Sequence, residues 1–191
     1  VAEVNEDASE VTITSTLALL PIYRQRILDA VATFKVNQDG RISVDIEVKR
    51  ADLTFFLDEE NYLFLPRFGL RYFLDPNYAH LAYYGYGPFE SYIDKHRASL
   101  IDIYSGEVAA EHEDYIKPQE NGSHYAVQQL ALGGSYGELP GLFVTADPDS
   151  PHGGFCFNVS EYTQEELASK THNFLLEKSG MTVLCLDYLI S

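Results

Sequence analysis

The 191-residue sequence predicts an all-β, mainly antiparallel fold, and three features lead to this class. Apolar and polar residues alternate in several segments, which is the period-two pattern of strands that bury one face. Gly, Pro, Asn and Asp gather between these segments, as they do at turns. Helical periodicity is confined to one short segment, so we expect a β-sandwich with a single short helix.

The first predicted strands lie on either side of a strong turn signal. Alternation predicts strands at residues 11–17, 27–36 and 42–48. Between the last two, Asn37 and Asp39 can bond nearby backbone, and Gly40 can adopt a positive φ. The sequence therefore predicts a β-hairpin over residues 27–49.

The rest of the chain continues the pattern of strands separated by turns. Further strands are predicted at residues 67–74, 79–84, 124–131, 141–145, 154–159 and 182–188. No internal boundary stands out, so residues 1–191 are predicted to form a single β-sandwich domain.

The one predicted helix covers residues 163–172. Thr163 offers an N-cap hydroxyl and Glu166 follows three residues later, which is the pattern of a capping box. Acidic residues in the first turn also suit the positive end of the helix dipole.

The composition excludes several functional classes. A net charge of −16 repels phosphate backbones and anionic membrane surfaces, so neither nucleic acid nor a membrane is an expected partner. The acidic run from Glu107 to Asp114 is expected to be a solvated face.

Cys156 and Cys185 lie in apolar segments and indicate buried thiols rather than a disulfide framework. Without a leader or a membrane-length apolar segment, the expected location is the cytoplasm.

Two motifs carry the strongest functional signal. Residues 84–95 read YGYGPFESYIDK, and residues 115–122 read YIKPQENG. Either motif alone predicts only a tight turn. Their order and spacing, with further matches at residues 66–70, 155–163, 166–172 and 184–187, resemble the C-terminal, small-chain region of bacterial family two glycoside hydrolases that are β-galactosidases. The positions that carry the resemblance are Arg67, Gly69, Gly85, Gly87, Pro88, Glu90, Tyr92, Asp94, Pro118, Glu120, Asn121, Gly122 and His172.

This resemblance implies a large two-sheet supersandwich of the galactose-mutarotase type, truncated here at both ends. It also implies a non-catalytic role, because the catalytic glutamates of the family lie on a separate barrel domain. The implied parent enzyme hydrolyses β-galactosides such as lactose with retention, and the expected partners are its other domains or large subunit. A homo-oligomer is a further expectation, with sheet edges exposed beside residues 11–17 or 182–188.

Glu90 and Glu120 are the only acids set in motif-like surroundings. A retaining glycosidase needs two carboxylates ~5–5.5 Å apart on one glycosidic bond. Both residues lie beside Gly and Pro turns, where a carboxylate commonly accepts backbone N–H bonds. We therefore expect both to hold loops, and no catalytic residue is assigned to the chain.

Two other functions compete with this interpretation. An aldose epimerase on the same sandwich would need a His facing a Glu across an open groove. A carbohydrate-binding module would present exposed, coplanar Tyr or Phe rings. The six histidines show no zinc-ligand spacing, so a transition-metal site is not expected.

The resemblance implies one possible ion and no other cofactor. By motif alignment, a monovalent cation such as Na⁺ would bind main-chain oxygens of Lys117, Pro118, Leu167 and Lys170. Oxygen ligands suit a hard cation. The ammonium group of Lys170 is an unfavourable neighbour for it.

Overall fold

The computed structural model describes residues 1–4, 9–20, 26, 28–50, 67–134, 141–149 and 153–190. The chain divides into two compact units, Val1–Phe64 and Leu65–Ser191. The predicted hairpin lies in the first unit, and every motif residue named above lies in the second. The start of the predicted second strand, Ile27, is outside the described residues.

The first unit contains one four-stranded antiparallel sheet in the order β1-β2-β3-β4. Its strands are β1 (Ala2–Val4), β2 (Glu10–Leu19), β3 (Leu28–Asn37) and β4 (Ile42–Arg50). The predicted hairpin is confirmed: Val36 pairs with Ile42, and Gly40 at φ +83° donates its N–H to the Asn37 carbonyl over 3.0 Å. A glycine at positive φ is what a short hairpin loop of this kind requires.

The second unit contains two four-stranded antiparallel sheets, in the orders β10-β9-β6-β7 and β5-β12-β11-β8. The strands are β5 (Arg67–Leu74), β6 (His80–Gly87), β7 (Leu100–Glu107), β8 (Ser123–Val127), β9 (Gln129–Gly133), β10 (Leu142–Thr145), β11 (Phe155–Ser160) and β12 (Thr182–Ile190). Short 3₁₀ turns lie at Val108–Ala110 and Asn173–Leu175, and helix α1 covers Gln164–Ser169.

Side chains from both sheets of the second unit form one core. Leu81, Tyr83, Leu130 and Leu132 come from one sheet, and Phe157, Val159 and Leu184 from the other. The rings of Tyr83 and Phe157 meet edge to face with centroids 5.2 Å apart. The predicted all-β, antiparallel class is therefore confirmed. The galactose-mutarotase type and the extent of the domain stay predictions.

The predicted strand at residues 124–131 is wrong as one element. The chain forms β8 in one sheet and β9 in the other, with Ala126 at φ +52° and the Gln128 N–H donating to the Tyr84 carbonyl over 2.9 Å. A continuous polar–apolar pattern hides the break because side chains of both strands are buried in the same core.

Strands β1 and β7 were not predicted. The three residues of β1 are too few for a periodic pattern to register. In β7, Leu100 and Ile103 are 75% and 73% exposed although they point to opposite faces. This edge strand lacks the polar face that alternation would show.

The predicted sheet edge beside residues 182–188 is wrong, because β12 lies between β5 and β11. The predicted edge beside residues 11–17 is wrong in part: β1 pairs with β2 at Val11–Ile13, whereas residues 15–17 pair with β3 alone within the described residues. The strands with one neighbour in the second unit are β5, β7, β8 and β10, within the described residues. The edges were misplaced because neighbours in a sheet need not be neighbours in the sequence.

Helix α1 is shorter than predicted but has the predicted N-cap. Thr163 Oγ1 accepts a hydrogen bond from the Glu166 N–H over 3.1 Å. The Glu166 carboxylate accepts from the Glu177 N–H over 2.9 Å and pairs with Lys170 over 3.2 Å. Among the residues with described coordinates, no helix has the length and apolar character needed to span a membrane.

Candidate functional site

The two sequence motifs meet in the structure. Glu90 Oε2 accepts a 2.9 Å hydrogen bond from the N–H of Gly122, which belongs to the second motif. The neighbouring Ser91 donates its N–H to the Ser123 carbonyl over 2.7 Å, and Ser91 Oγ accepts from the Tyr125 N–H over 2.9 Å. The first motif is therefore bonded directly to the second and to the start of β8.

The other oxygen of Glu90 is also occupied. Lys95 Nζ and Tyr115 OH both donate to Oε1, and the Glu90 side chain is 5% exposed. Burial raises the pKa of Glu90, but hydrogen bonds from Lys95, Tyr115 and Gly122 outweigh burial and leave this pKa below its ordinary value. Glu90 is thus an anion at neutral pH with every oxygen bonded.

Tyr92 also lies near Glu90. Its hydroxyl is 3.5 Å from Glu90 Oε2, at the limit of a hydrogen bond. Burial raises the pKa of Tyr92, and the nearby charges of Glu120 and Glu90 raise it further. Its phenol therefore remains protonated and able to donate.

Glu120 belongs to a second set of contacts. Its Oε2 accepts from Arg67 Nη1 over 2.8 Å, and its Oε1 accepts from Ser123 Oγ over 2.6 Å. Arg67 Nε also donates to Asp187 Oδ2 over 2.8 Å, and the Asp187 side chain is 4% exposed. These contacts fix the second motif to strands β5 and β12.

The charges of this cluster offset one another. Burial raises the pKa values of Glu120 and Asp187, and Arg67 opposes the rise in both. For Arg67, burial alone would lower the pKa, but the bond to Asp187 and the charges of Glu120 and Asp187 produce a net increase. Arg67 therefore stays charged and compensates two carboxylates.

Asn121 and Gly122 fit a tight loop between these two sets of contacts. Asn121 Oδ1 accepts from the Glu113 N–H over 2.9 Å, and the Asn121 carbonyl accepts from Asn158 Nδ2 over 2.6 Å. Gly122 has φ +68°, and a Cβ at this position would collide with the Glu111 carbonyl. Only glycine fits here without strain.

Three further motif glycines allow close packing. A Cβ on Gly69 would meet the Leu186 carbonyl, and one on Gly85 would lie 2.8 Å from the Val127 side chain. On Gly87 it would lie 2.6 Å from the Tyr104 ring. These residues support packing and have no chemistry of their own.

The remaining motif residues are not gathered into one site. Pro88 follows a cis peptide bond and is exposed, whereas Pro118 is buried. Asp94 is exposed at a cleft of about 460 Å³ that Glu90, Lys95 and Tyr115 also line. His172 is exposed, with Nδ1 3.1 Å from Thr171 Oγ1.

Glu111 was not predicted to be part of a site. The acidic residues 107–114 predict a solvated face, but the Glu111 side chain is 14% exposed, and its Oε2 lies 2.7 Å from His124 Nε2. His124 is 1% exposed, and its Nδ1 lies 3.2 Å from the Tyr86 carbonyl. This His–Glu pair is enclosed in the fold and does not face an open groove, so it lacks the geometry required of an epimerase.

The rings of Tyr86 and Tyr125 do not form an exposed platform either. Tyr86 and Tyr125 stack with centroids 6.2 Å apart and planes at 16°, and both are half-buried. The His96 ring packs against both, at 5.3 and 5.4 Å. Much of their ring surface is used in contacts with one another.

The cation ligands predicted from the motifs lie on two segments that touch. The Ile116 carbonyl accepts from the Asn173 N–H over 3.1 Å, which joins the loop before Lys117 to the chain after Lys170. In the described part of the chain, no group of three or more His, Cys, Asp or Glu side chains could hold a metal ion. A site formed by main-chain oxygens stays a prediction.

Residues 1–190 match the family described as the β-galactosidase small chain. The chain belongs to this family. It is 40% identical to a β-galactosidase of Actinobacillus pleuropneumoniae over 188 residues, which are 98% of this chain and 16% of that protein. It is 30% identical to a β-galactosidase of Lactobacillus delbrueckii subsp. bulgaricus over 187 residues, or 97% of this chain and 16% of the relative. It is 29% identical to a β-galactosidase of Staphylococcus xylosus over 186 residues, which are 97% of this chain and 17% of that protein.

The resemblance inferred from the motifs is therefore confirmed at the level of the family. The small chain spans about a sixth of the length of each of these relatives. In this chain, the two motifs form a pair of segments that bond to each other, since Glu90 of one accepts from the Gly122 N–H of the other.

The lowered pKa of Glu90 predicts how stability depends on pH. Because its folded pKa lies below the ordinary 4.5, ionised Glu90 stabilises the fold above that pH, and this contribution disappears as the pH falls through the folded pKa. Glu90→Gln should lower the free energy of unfolding at pH 7 by about 1–3 kcal/mol. It should also lose less stability than the wild type on acidification below pH 4.5.

Denaturant unfolding across a pH series measures this difference. Glu113→Gln is a matched control, because Glu113 lines the same cleft and is exposed. Glu120 and Asp187 have raised pKa values, which act in the opposite direction, but they remain in every variant. Parallel pH curves for wild type and Glu90→Gln would contradict the assigned role of Glu90.

Proposed function

We propose that this chain is a non-catalytic structural domain of a β-galactosidase. The other domains, or a large subunit, would hydrolyse terminal β-galactosides such as lactose, and this domain would support the active-site barrel and subunit assembly. The relatives named above are β-galactosidases about six times as long as the matched region, which supports a role as one part of a larger enzyme.

One observation supports the non-catalytic role above others: each carboxylate oxygen of Glu90 and Glu120 accepts a hydrogen bond from the protein. A retaining glycosidase needs one carboxylate as nucleophile and another as acid, both facing the same bond. Glu90 is held by Lys95 and Tyr115, and Glu120 is held by Arg67. These contacts suit residues that fix loops.

The location and assembly of the enzyme are part of the proposal. Buried thiols at Cys156 and Cys185 suit a reducing compartment, and we propose the cytoplasm. Burial raises the pKa of Cys185 to about 11, so this thiol is unreactive at neutral pH. A homo-oligomer of the parent enzyme is the assembly we expect.

The structural role predicts small effects on turnover. In the full-length enzyme, Glu90→Gln and Glu120→Gln should lower the melting temperature but keep kcat/KM of the folded enzyme within about ten-fold of the wild type, whereas loss of a general acid or base typically costs about 10²–10⁴-fold. The chain of 191 residues alone should not hydrolyse a chromogenic β-galactoside.

Chromogenic assays normalised to the folded fraction provide the measurement, and Glu113→Gln is again the control. A loss of about a thousand-fold or more in a variant with a wild-type melting temperature would identify a catalytic carboxylate. Glu90- or Glu120-dependent turnover by the chain alone would likewise overturn the proposal.

We also propose that the chain binds a monovalent cation through the main-chain oxygens of Lys117, Pro118, Leu167 and Lys170. The hydrogen bond from Asn173 to Ile116 supports contact between the two segments. The Lys170 ammonium, an unfavourable neighbour for a cation, is engaged by Glu166 at 3.2 Å. Na⁺ is the candidate, since oxygen ligands favour hard cations.

A bound cation would stabilise the folded state by mass action. Replacing choline chloride with NaCl at constant ionic strength should raise the melting temperature in a concentration-dependent and saturable way. KCl is a second arm that tests selectivity. Identical melting curves in the three salts would exclude a monovalent cation site that contributes to stability.

A further inference from the structure

We propose that the outer face of the β10-β9-β6-β7 sheet is the surface on which another domain of the same β-galactosidase polypeptide packs. This inference rests on the proposed function, because it takes the chain to be one domain of a longer enzyme. It adds the position of the contact, which neither the family match nor the motifs provide.

The register of the strands identifies the outer face. Leu81 and Tyr83 of β6, with Leu130 and Leu132 of β9, point into the core. Side chains alternate along a strand, so the residues between them point away from the core. The register pairs place the apolar residues Ala82, Tyr84, Ile101, Ile103, Ala131 and Phe143 together on that side.

Several of these side chains are strongly exposed. Ile103 is 73% exposed, Phe143 62%, Ile101 50% and Tyr84 36%. Tyr84 is the Cα partner of Ile103, and Phe143 is the partner of Ala131. They form a contiguous apolar surface, and contact with another protein surface is one of the common uses of such a surface in soluble proteins.

Residues that pair across neighbouring strands form rows on the outer face, and the polar residues in these rows carry no charge. The row through Ile103 and Tyr84 continues to Gln129 and Thr145, and the row through Ala82 begins at Ser105. Charged residues make up 22% of the chain, so a solvated face of this extent is expected to include some. Depletion of charge is characteristic of the centre of a protein interface.

Charge returns at one end of the face. The next row pairs Glu107 of β7 with His80 of β6 and His80 with Gly133 of β9. Polar and charged groups at the border of an apolar centre are the usual arrangement of a protein interface.

A strand of the first unit provides an internal comparison. On β4, apolar Ile42, Val44, Ile46 and Val48 alternate with Ser43, Asp45, Glu47 and Lys49. There, one side of the strand has the charges that a solvated face normally shows. The centre of the outer face of the β10-β9-β6-β7 sheet departs from that pattern.

The occupant we assign is another domain of the same polypeptide. The chain matches only 16% of the Actinobacillus pleuropneumoniae relative, so most of such an enzyme is available to cover this face. A second copy of this domain is less suitable, because each copy carries a net charge of −16 and the two would repel. An uncharged centre favours an apolar partner surface that is neutral as well.

Thiol labelling of the full-length β-galactosidase tests the proposal. Ile103→Cys places a thiol on the outer face, and Leu100→Cys is a matched control on the same strand, facing the opposite side and equally exposed at 75%. In the native enzyme, the thiol introduced at position 103 should react at least about ten-fold more slowly than the thiol introduced at position 100, because burial restricts access. In urea the two should react at equal rates. The wild-type enzyme provides the background from other thiols.

Each outcome decides between occupants. Slow labelling at position 103 alone, unchanged on dilution, supports a domain of the same polypeptide. Equal fast labelling at both positions would show that the face is uncovered, and equal protection would place the contact at the β7 edge instead; either result overturns the proposal. Protection lost on dilution would assign the face to a second copy and overturn it too. Turnover assays of Glu90 and Glu120 variants do not depend on this result, so failure of the proposed function remains distinguishable.

Discussion

The buried carboxylate of Glu90 is the constraint on which the arrangement of this region depends. A charged group with a 5% exposed side chain is tolerated only if its oxygens are bonded, and Glu90 satisfies this with the Gly122 N–H, Lys95 and Tyr115. These donors come from three different positions in the sequence. Because the carboxylate needs all of them, the turn after β6, the loop before β8 and the segment around Tyr115 can adopt only one relative arrangement.

This constraint explains why the two motifs occur together in the sequence. The first motif supplies an acceptor, and the second supplies a donor on a glycine whose positive φ and contact with the Glu111 carbonyl exclude other residues. Arg67 completes the arrangement by fixing Glu120 of the second motif to Asp187 on β12. Polar groups that would be costly to bury separately thus satisfy one another. A sugar-binding or catalytic role is not needed to account for them, and a mainly structural domain in a longer enzyme is consistent with this use of carboxylates.

Local chemistry explains which parts of the fold the sequence predicts. The hairpin around Gly40, strand β5 and the Thr163 N-cap follow from alternation, turn residues and capping, which involve neighbouring residues only. The division between β8 and β9 was missed because a change of sheet leaves the alternation nearly intact. In the site, the sequence predicted that Glu90 and Glu120 hold loops, but not their partners, since Arg67 is 53 residues from Glu120 and 120 residues from Asp187. Glu111 gave no signal, because an acidic run is typical of a solvated face.

The most direct test of the central claim is hydrogen exchange at the Gly122 amide, measured by residue-resolved NMR in the wild type and in Glu90→Ala. If the Glu90 carboxylate links the two motifs, the Gly122 amide should exchange slowly in the wild type and at least about ten-fold faster in the variant. Amides in the core strand β11 should be much less affected, because the change is local to the loop. Equal protection of the Gly122 amide in both proteins would contradict the account, since it would show that the link between the motifs does not depend on Glu90.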